Sequence, residues 1–406
     1  MMGVFQEHGP YVSNDGTDYL IENMWSWNNQ ANMLYIEMPG GVGFSTCDAD
    51  GGECVFDDQK TADDNIIAIV NWFAKYKDFE NHDLYVSGES YGGVYVPFAA
   101  KGMLEYNTKV TDPTLFKFNL KGFIVGNGVT NWTYDTTPAY IKMGFWHGLY
   151  DYDTYLGMEA ENCDFSKLQY GNVLSAKCAE YFNRFNELTA NINTYDVFRK
   201  CWSTTTGMQM YSEDNFGLAK VGNELKPYKK YYTAADYTPW LIHRNVATAK
   251  KMVELLPPCV YGSFVVDYLN RYATRDALHI PDEVQAWSYC TDANGWDYTA
   301  GEAASFDIYA WMKTNHPEIN IMLYSGDTDG SVPTWGTLDW INALGWEQTQ
   351  EWTPYYWEKQ VAGYTQVHEQ LTFGSIHGCG HMAPQWKRPE TWNLIYNWMD
   401  TMQKKQ

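Results

Sequence analysis

The stretch DLYVSGESYGGVYVP, residues 83–97, narrows the fold more than any other part of the chain. An apolar strand runs into Gly88-Glu89-Ser90-Tyr91-Gly92, and small and apolar residues follow at once. That order reads as strand, sharp turn, helix, with a serine hydroxyl presented at the turn. A Cβ at either glycine is expected to clash in so tight a bend. Such a turn needs a parallel sheet to hold the strand and a helical layer to receive the helix.

Other segments agree. NMLYIEMPGG, HDLYVSGES, LKGFIVGNG and INIMLYSGD read as buried parallel strands that end in loops, and TFGSIHGCGH as a weaker late one. TADDNIIAIVNWFAKY, residues 61–76, reads as an intervening helix. From residue 151 the pattern changes: NVLSAKCAEYFNRFNELTANI is helical, and no comparable series of strands appears. The expected organisation is an α/β core over residues 1–150 and 263–406, interrupted by a mostly helical cap over residues 151–262. ETWNLIYNWMDTMQ closes the chain as an amphipathic helix, with Trp392, Ile395, Trp398 and Met399 facing inward.

Composition excludes several partners. The formal net charge of −22 argues against nucleic acid and against an anionic membrane surface. No run of about 18 apolar residues occurs, so no membrane-spanning helix is expected. Aromatic residues at 17% fit either a sugar-binding surface or, more plainly, a core and cleft rich in Tyr and Trp. The eight cysteines form no C-x-x-C pair, which disfavours a zinc ribbon. Cys47 and Cys54 bracket a polar turn that a local disulfide would close, and Asn131-Trp-Thr is a glycosylation sequon. Both point to an oxidising compartment.

A serine nucleophile needs a base, and the base needs an orienting acid. Downstream, LYSGDTDGSVP offers Asp327 and Asp329 in a loop after a late strand. Asp329 is the expected acid, and Asp327, directly after the strand, the expected turn cap. SIHGCGHMAP then offers His377 and His381. His381 is the expected base and His377 its structural neighbour. The order Ser, acid, His is that of α/β-hydrolases. Zinc-peptidase chemistry needs a pair such as H-E-x-x-H, but His368-Glu369 is followed by Gln370, Leu371 and Thr372. No metal or other cofactor is expected.

These motifs, together with NMLYIEMPGGVGFS, GNGVTN, INTYDVFRKC, PPCVYGSFVVDYLN and ALHIP, occur in an order that resembles the serine carboxypeptidase family of carboxypeptidase Y and cathepsin A type. The similarity runs from residue 3 to the last helix. It implies an α/β-hydrolase fold with a mostly parallel central sheet and a helical cap. It also implies that early strands, and a loop reading N-G-G-P-G-C-S-S, precede the opening GVFQEHGP in the family. On that reading the sequence is a fragment whose activity is low, because one of two oxyanion donors lies in that loop and only the Tyr91 N–H remains.

The resemblance assigns further roles. Glu7 and Glu89 form a carboxyl pair for the substrate's C-terminal carboxylate, one member keeping its proton because two close carboxyls do not both ionise. Met382, beside His381, lines the pocket for the last side chain. Cys163 pairs with Cys178 and Cys201 with Cys259, leaving Cys290 without its partner and Cys379 free. The implied activity is release of C-terminal amino acids at acidic pH through an acyl-enzyme. The implied partners are peptide or protein C-termini, with a homodimer as an allowed assembly, in the secretory pathway, lysosome, vacuole or outside the cell. An acyltransferase on the same fold and a non-catalytic binding scaffold are the competing readings.

Overall fold

The longest apolar runs form strands buried on both faces. A computed structural model describes residues 1–13, 19–47, 54–199, 216–221, 224–229, 263–291 and 296–404. Its six-stranded sheet contains β1 (Leu84–Glu89), β2 (Leu120–Gly126), β3 (Asn320–Gly326), β4 (Gln348–Trp357), β5 (Gln360–His368) and β6 (Leu371–Ile376). The spatial order is β4-β5-β6-β3-β2-β1. β6, β3, β2 and β1 run parallel, whereas β4, β5 and β6 meander antiparallel.

Alternation along the strands sorts side chains between two layers. Phe123, Val125, Ile321 and Leu323 pack with Phe73 and Met103 from α1 (Asp58–Lys75) and α2 (Gly92–Lys109). Ile124, Met322 and Ile376 face the other way, against the closing helix Arg388–Gln403. On that helix Ile395 and Trp398 are buried, and Trp392 and Met399 are half-buried against the same cluster. With helices on both sides, β2, β3 and β6 are almost wholly buried.

Parallel register has a functional consequence. Glu89 pairs with Gly126, Gly126 with Tyr324, and Gly326 with Ile376. The loops that leave β1, β2, β3 and β6 therefore emerge side by side on one edge of the sheet. Active sites of open α/β sheets form at that edge.

The structure departs from the sequence reading in some places and adds to it in others. NMLYIEMPGG forms no strand and joins no sheet among the described residues. Leu34 and Ile36 are 44% and 39% exposed, and they line a groove of about 1170 Å³ that runs along the outer side of β1 to Glu89 and Ser90. Apolar character does not make a strand without a neighbour to complete its ladder. Conversely, TFGSIHGCGH supplies β6, an interior strand with all of its residues buried. The β4–β5 hairpin was not expected, because β4 is polar and exposed along most of its length.

The middle of the chain is described in part. Helices Tyr152–Ala160 and Ala176–Thr189 form there, and Cys163 and Cys178 are disulfide-bonded beside them. An antiparallel hairpin of Phe216–Val221 and Glu224–Lys229 also forms, so the segment is not all helical. Cys47 and Cys54 are bonded, and among the described residues Cys290 and Cys379 have no disulfide partner. The expected Cys201–Cys259 pair lies outside the described residues.

Candidate active site

β1 ends in a strained turn. Ser90 has φ of +63°, a left-handed conformation unusual for a residue with a side chain. Strain of this kind persists only where neighbours over-determine it. Here the Ser90 N–H donates to Gly126 O at 3.0 Å, and the Ser90 carbonyl accepts from Gly93 N at 2.9 Å and Val129 N at 3.0 Å. Ser90 is thus pinned to the β2 loop on one side and to α2 on the other.

The glycines share the crowding unevenly. A Cβ on Gly88 would lie 2.9 Å from Val96 Cγ2. On Gly92 it would meet nothing within 4 Å, contrary to the expected clash. The crowded position is Gly93, where a Cβ would fall 2.2 Å from Val129 O and 2.6 Å from Val129 N. Those atoms are backbone and cannot swing away. Gly93→Ala is expected to lose about 1–3 kcal/mol in urea melts, with Gly92→Ala near neutral. Equal losses at the two positions would contradict this account.

The two Asp–His pairs that the sequence left in competition both form. His377 Nδ1 lies 2.7 Å from Asp327 Oδ2, but that histidine is 66% exposed. His381 Nδ1 lies 2.7 Å from Asp329 Oδ2, and these side chains are 2% and 0% exposed. Against a carboxylate, Nδ1 is the donor. Nε2 of His381 is buried and, among the described residues, has no hydrogen-bond partner. Asp327 also accepts from the Gly378 N–H at 2.7 Å, so it clamps the histidine loop as well as pairing His377.

Asp329 is held on every side. Its Oδ1 accepts from Ser331 N at 2.7 Å, and Oδ2 accepts from Val332 N at 3.2 Å and from Asn127 Nδ2 at 2.8 Å. Asn127, at the end of β2, also accepts from Gly326 N at 3.0 Å. It sat in the GNG motif, but nothing local in the sequence indicated its role. INTYDVFRKC finds its use here too. Tyr195 O accepts from His381 N at 2.7 Å, Thr194 O accepts from Gly330 N at 2.7 Å, and Asp196 Oδ1 accepts from Thr328 Oγ1 at 2.9 Å. One segment thereby braces both the acid loop and the histidine loop.

Glu7 closes a short π-helical turn, Gly3–Glu7, and is buried. It shares a side-chain hydrogen bond with Glu89, the residue before the nucleophile. Burial pushes the Glu7 carboxyl up to about 7, although the bond to Glu89 and the charges of His381, the N-terminal amine and Arg388 pull the other way. Glu89 as a residue is half-buried, yet its Oε2 is fully enclosed and, among the described residues, accepts from no donor. The enclosure of the carboxyl is what matters for titration. Burial first, then the charges of Glu7 and Asp329, holds Glu89 well above the carboxylate range. The turn bearing Glu7 is tied to the start of the closing helix, where Arg388 Nη2 donates to Gln6 O at 3.0 Å and Gln6 Nε2 donates to Gln385 Oε1 at 3.0 Å. The sequence reading missed Arg388, a half-buried cation beside Glu7.

Tyr91 precedes the first turn of α2, and among the described residues its N–H meets no acceptor. Helix N-termini leave such donors free. Met382 is 1% exposed beside His381. Asn131 is half-buried, its Oδ1 accepting from Thr133 N at 3.0 Å.

This constellation can be set beside known proteins. The serine carboxypeptidase family model matches residues 1–401. The chain belongs to the serine carboxypeptidase family. Among its serine carboxypeptidase relatives, "putative serine carboxypeptidase-like 30" of Arabidopsis thaliana is 31% identical over 389 residues, covering 95% of this chain and 74% of the relative. "Serine carboxypeptidase 1" of Hordeum vulgare is 27% identical over 416 residues, covering 98% and 80%. The crystal structure of Kex1(delta)p, a prohormone-processing carboxypeptidase from Saccharomyces cerevisiae, superposes with a TM-score of 0.68 at 19% identity, covering 99% of this chain and 80% of that one. The fold is therefore that of an α/β-hydrolase serine carboxypeptidase, with a mostly parallel sheet at its centre.

Proposed function

We propose that this protein is a serine-type carboxypeptidase that removes C-terminal amino acids from peptides at acidic pH. The observation that carries this reading is the pair of enclosed carboxyls, Glu7 against Glu89, beside Ser90. A serine hydrolase of another specificity has no need of two enclosed carboxyls next to its nucleophile. With one proton between them, the pair donates to a carboxylate that an ionised Glu89 would repel.

Ser90 Oγ attacks the last peptide carbonyl and passes its proton to His381 Nε2. Asp329 holds the ring by its Nδ1–H and stabilises the cation that forms. The Tyr91 N–H donates to the developing oxyanion. His381 returns the proton to the leaving amine, and the C-terminal amino acid departs. Water, activated by the same ring, then hydrolyses the ester and restores the Ser90 hydroxyl. Met382 forms part of the pocket for the leaving residue and favours apolar side chains. Two disulfides and the Asn131 sequon support passage through an oxidising, secretory compartment.

The test has two arms. A fluorophosphonate probe is expected to label Ser90, and a peptide is expected to shorten from its C-terminus with release of free amino acids, read by mass spectrometry. No adduct at Ser90 would leave only a binding scaffold. An adduct with no amino acid released, but acyl transfer to a small hydroxyl acceptor, would make the protein an acyltransferase.

A further inference from the structure

Asp58 is the first residue of α1 and is 6% exposed. Its carboxylate accepts three hydrogen bonds. Oδ1 takes the hydroxyls of Tyr91 at 2.8 Å and Tyr298 at 2.7 Å, and Oδ2 takes Gly301 N at 2.8 Å. Among the described residues no cation pairs with it. An acid in the first turn of a helix is common, and attraction to the helix N-terminus explains it. That explanation falls short here, because the preceding residue already caps the helix: Asp57 Oδ1 accepts from Lys60 N at 2.7 Å. The oxygens of Asp58 turn instead to groups from three other parts of the chain. A buried carboxylate held by neutral donors alone is expensive, and such a group is retained where its geometry is used.

One of those donors belongs to the residue after the nucleophile. The Tyr91 ring is anchored at its far end by Asp58 and wedged edge-on against Tyr95 at 4.9 Å and Tyr298 at 5.7 Å. At its near end it is attached to the Cα next to the strained Ser90. The ring is rigid, so fixing its hydroxyl limits rotation of the Tyr91 backbone. Burial, and then the bond to Asp58, raises the phenol's pKa, so the hydroxyl remains a donor throughout the working pH range.

We propose that Asp58 is a positioning residue for the oxyanion site, holding the Tyr91 hydroxyl and through it the direction of the Tyr91 N–H. This inference rests on the function proposed above. An oxyanion donor works only within a narrow range of distance and angle, and a misplacement of about 1 Å costs up to roughly a hundredfold in rate. Asp58 acts at a distance from the reacting atoms and touches none of them.

The test compares two hydroxyls that Asp58 holds equally well. Tyr91→Phe cuts the tether to the elbow. Tyr298→Phe removes a bond of the same kind from the same oxygen and leaves the elbow alone. Tyr91→Phe and Asp58→Ala are each expected to lower kcat, and the rate of fluorophosphonate labelling at Ser90, by roughly tenfold, with KM within about twofold. Asp58→Asn keeps an acceptor oxygen and should recover part of that loss. The double variant Tyr91→Phe/Asp58→Ala should be no slower than the slower single one, since both break one linkage. Tyr298→Phe should lower Tm by as much as Tyr91→Phe does, yet retain wild-type kcat.

Equal kcat losses in Tyr298→Phe and Tyr91→Phe would overturn the proposal and reduce Asp58 to a structural acid. So would unchanged labelling rates in Tyr91→Phe, or additive losses in the double variant. Wild-type protein that fails to label at Ser90 would overturn the proposed function and this inference together. Wild-type labelling with unaffected variants would overturn this inference alone.

Discussion

Ser90→Ala and His381→Ala are each expected to lower kcat by roughly a millionfold, as the loss of a nucleophile or its base does elsewhere, without a change in the melting transition. The sharper test separates the two acids. Asp329→Asn should cost about ten-thousandfold in kcat, because an amide presented to His381 Nδ1 favours the wrong tautomer and does not stabilise the imidazolium. Asp327→Asn should cost under about tenfold, since its partners are the exposed His377 and the Gly378 N–H. Its loss acts on the histidine loop, worth about 1 kcal/mol in stability. Asp329 has no such slack: it is fully buried, and Asn127, Ser331 and Val332 all donate to it. The measurement is kcat for release of free amino acid from an N-blocked dipeptide. Equal losses from the two asparagine variants would mean that the wrong aspartate has been assigned.

What could be read from the sequence was local. The elbow was legible because strand, turn and helix are contiguous and Ser90 sits where they meet. β2 and β3 were legible because a strand buried on both faces is an unbroken apolar run. Legibility failed where a partner from elsewhere decides. Residues 33–38 look as apolar as β1, but no strand lies beside them among the described residues, and Leu34 and Ile36 face a groove. β4 shows the reverse: Gln348, Gln350, Thr353 and Pro354 carry no apolar signal, and pairing with β5 makes the strand. Asn127 reaches Asp329 only because β2 and β3 are neighbours in the sheet. Asp58 drew no attention in the sequence, because Tyr91, Tyr298 and Gly301 reach it from distant parts of the chain. Glu7 was named only through family resemblance, since a lone Glu in a loop carries no local mark of its partner. Gly92 shows the limit of motif reasoning. The motif makes it look indispensable, yet the neighbouring Gly93 meets the backbone.

The second large effect is on pH dependence, and its sign follows from the carboxyl pair. Glu7 moves from 4.5 to about 7, first through burial, and Glu89 moves in the same direction for the same first cause. Between those two values the folded protein binds more protons than the unfolded chain. The contribution of Glu7 to stability is therefore full below about pH 4.5 and is lost as pH rises through 7, a tenfold difference in proton affinity between the two states being worth about 1.4 kcal/mol. Peptide binding shares that window. Below it the pair is fully protonated and donates to the substrate's carboxylate; as pH rises through it the pair loses its first proton, and that charge, with Asp329, faces an anion, with Arg388 as a cation nearby. KM for a peptide should rise by tenfold or more across the window, with kcat changing less, because the lost interaction is made equally before and during reaction. The C-terminal amide of the same peptide needs no such donor, and its KM should stay nearly flat. Glu89→Gln keeps a donor that does not titrate, so it should flatten the peptide profile and weaken the loss of Tm at rising pH. Parallel KM profiles for peptide and amide in the wild type would remove the pair from recognition, because no change in overall stability or in the base distinguishes a free carboxylate from its amide.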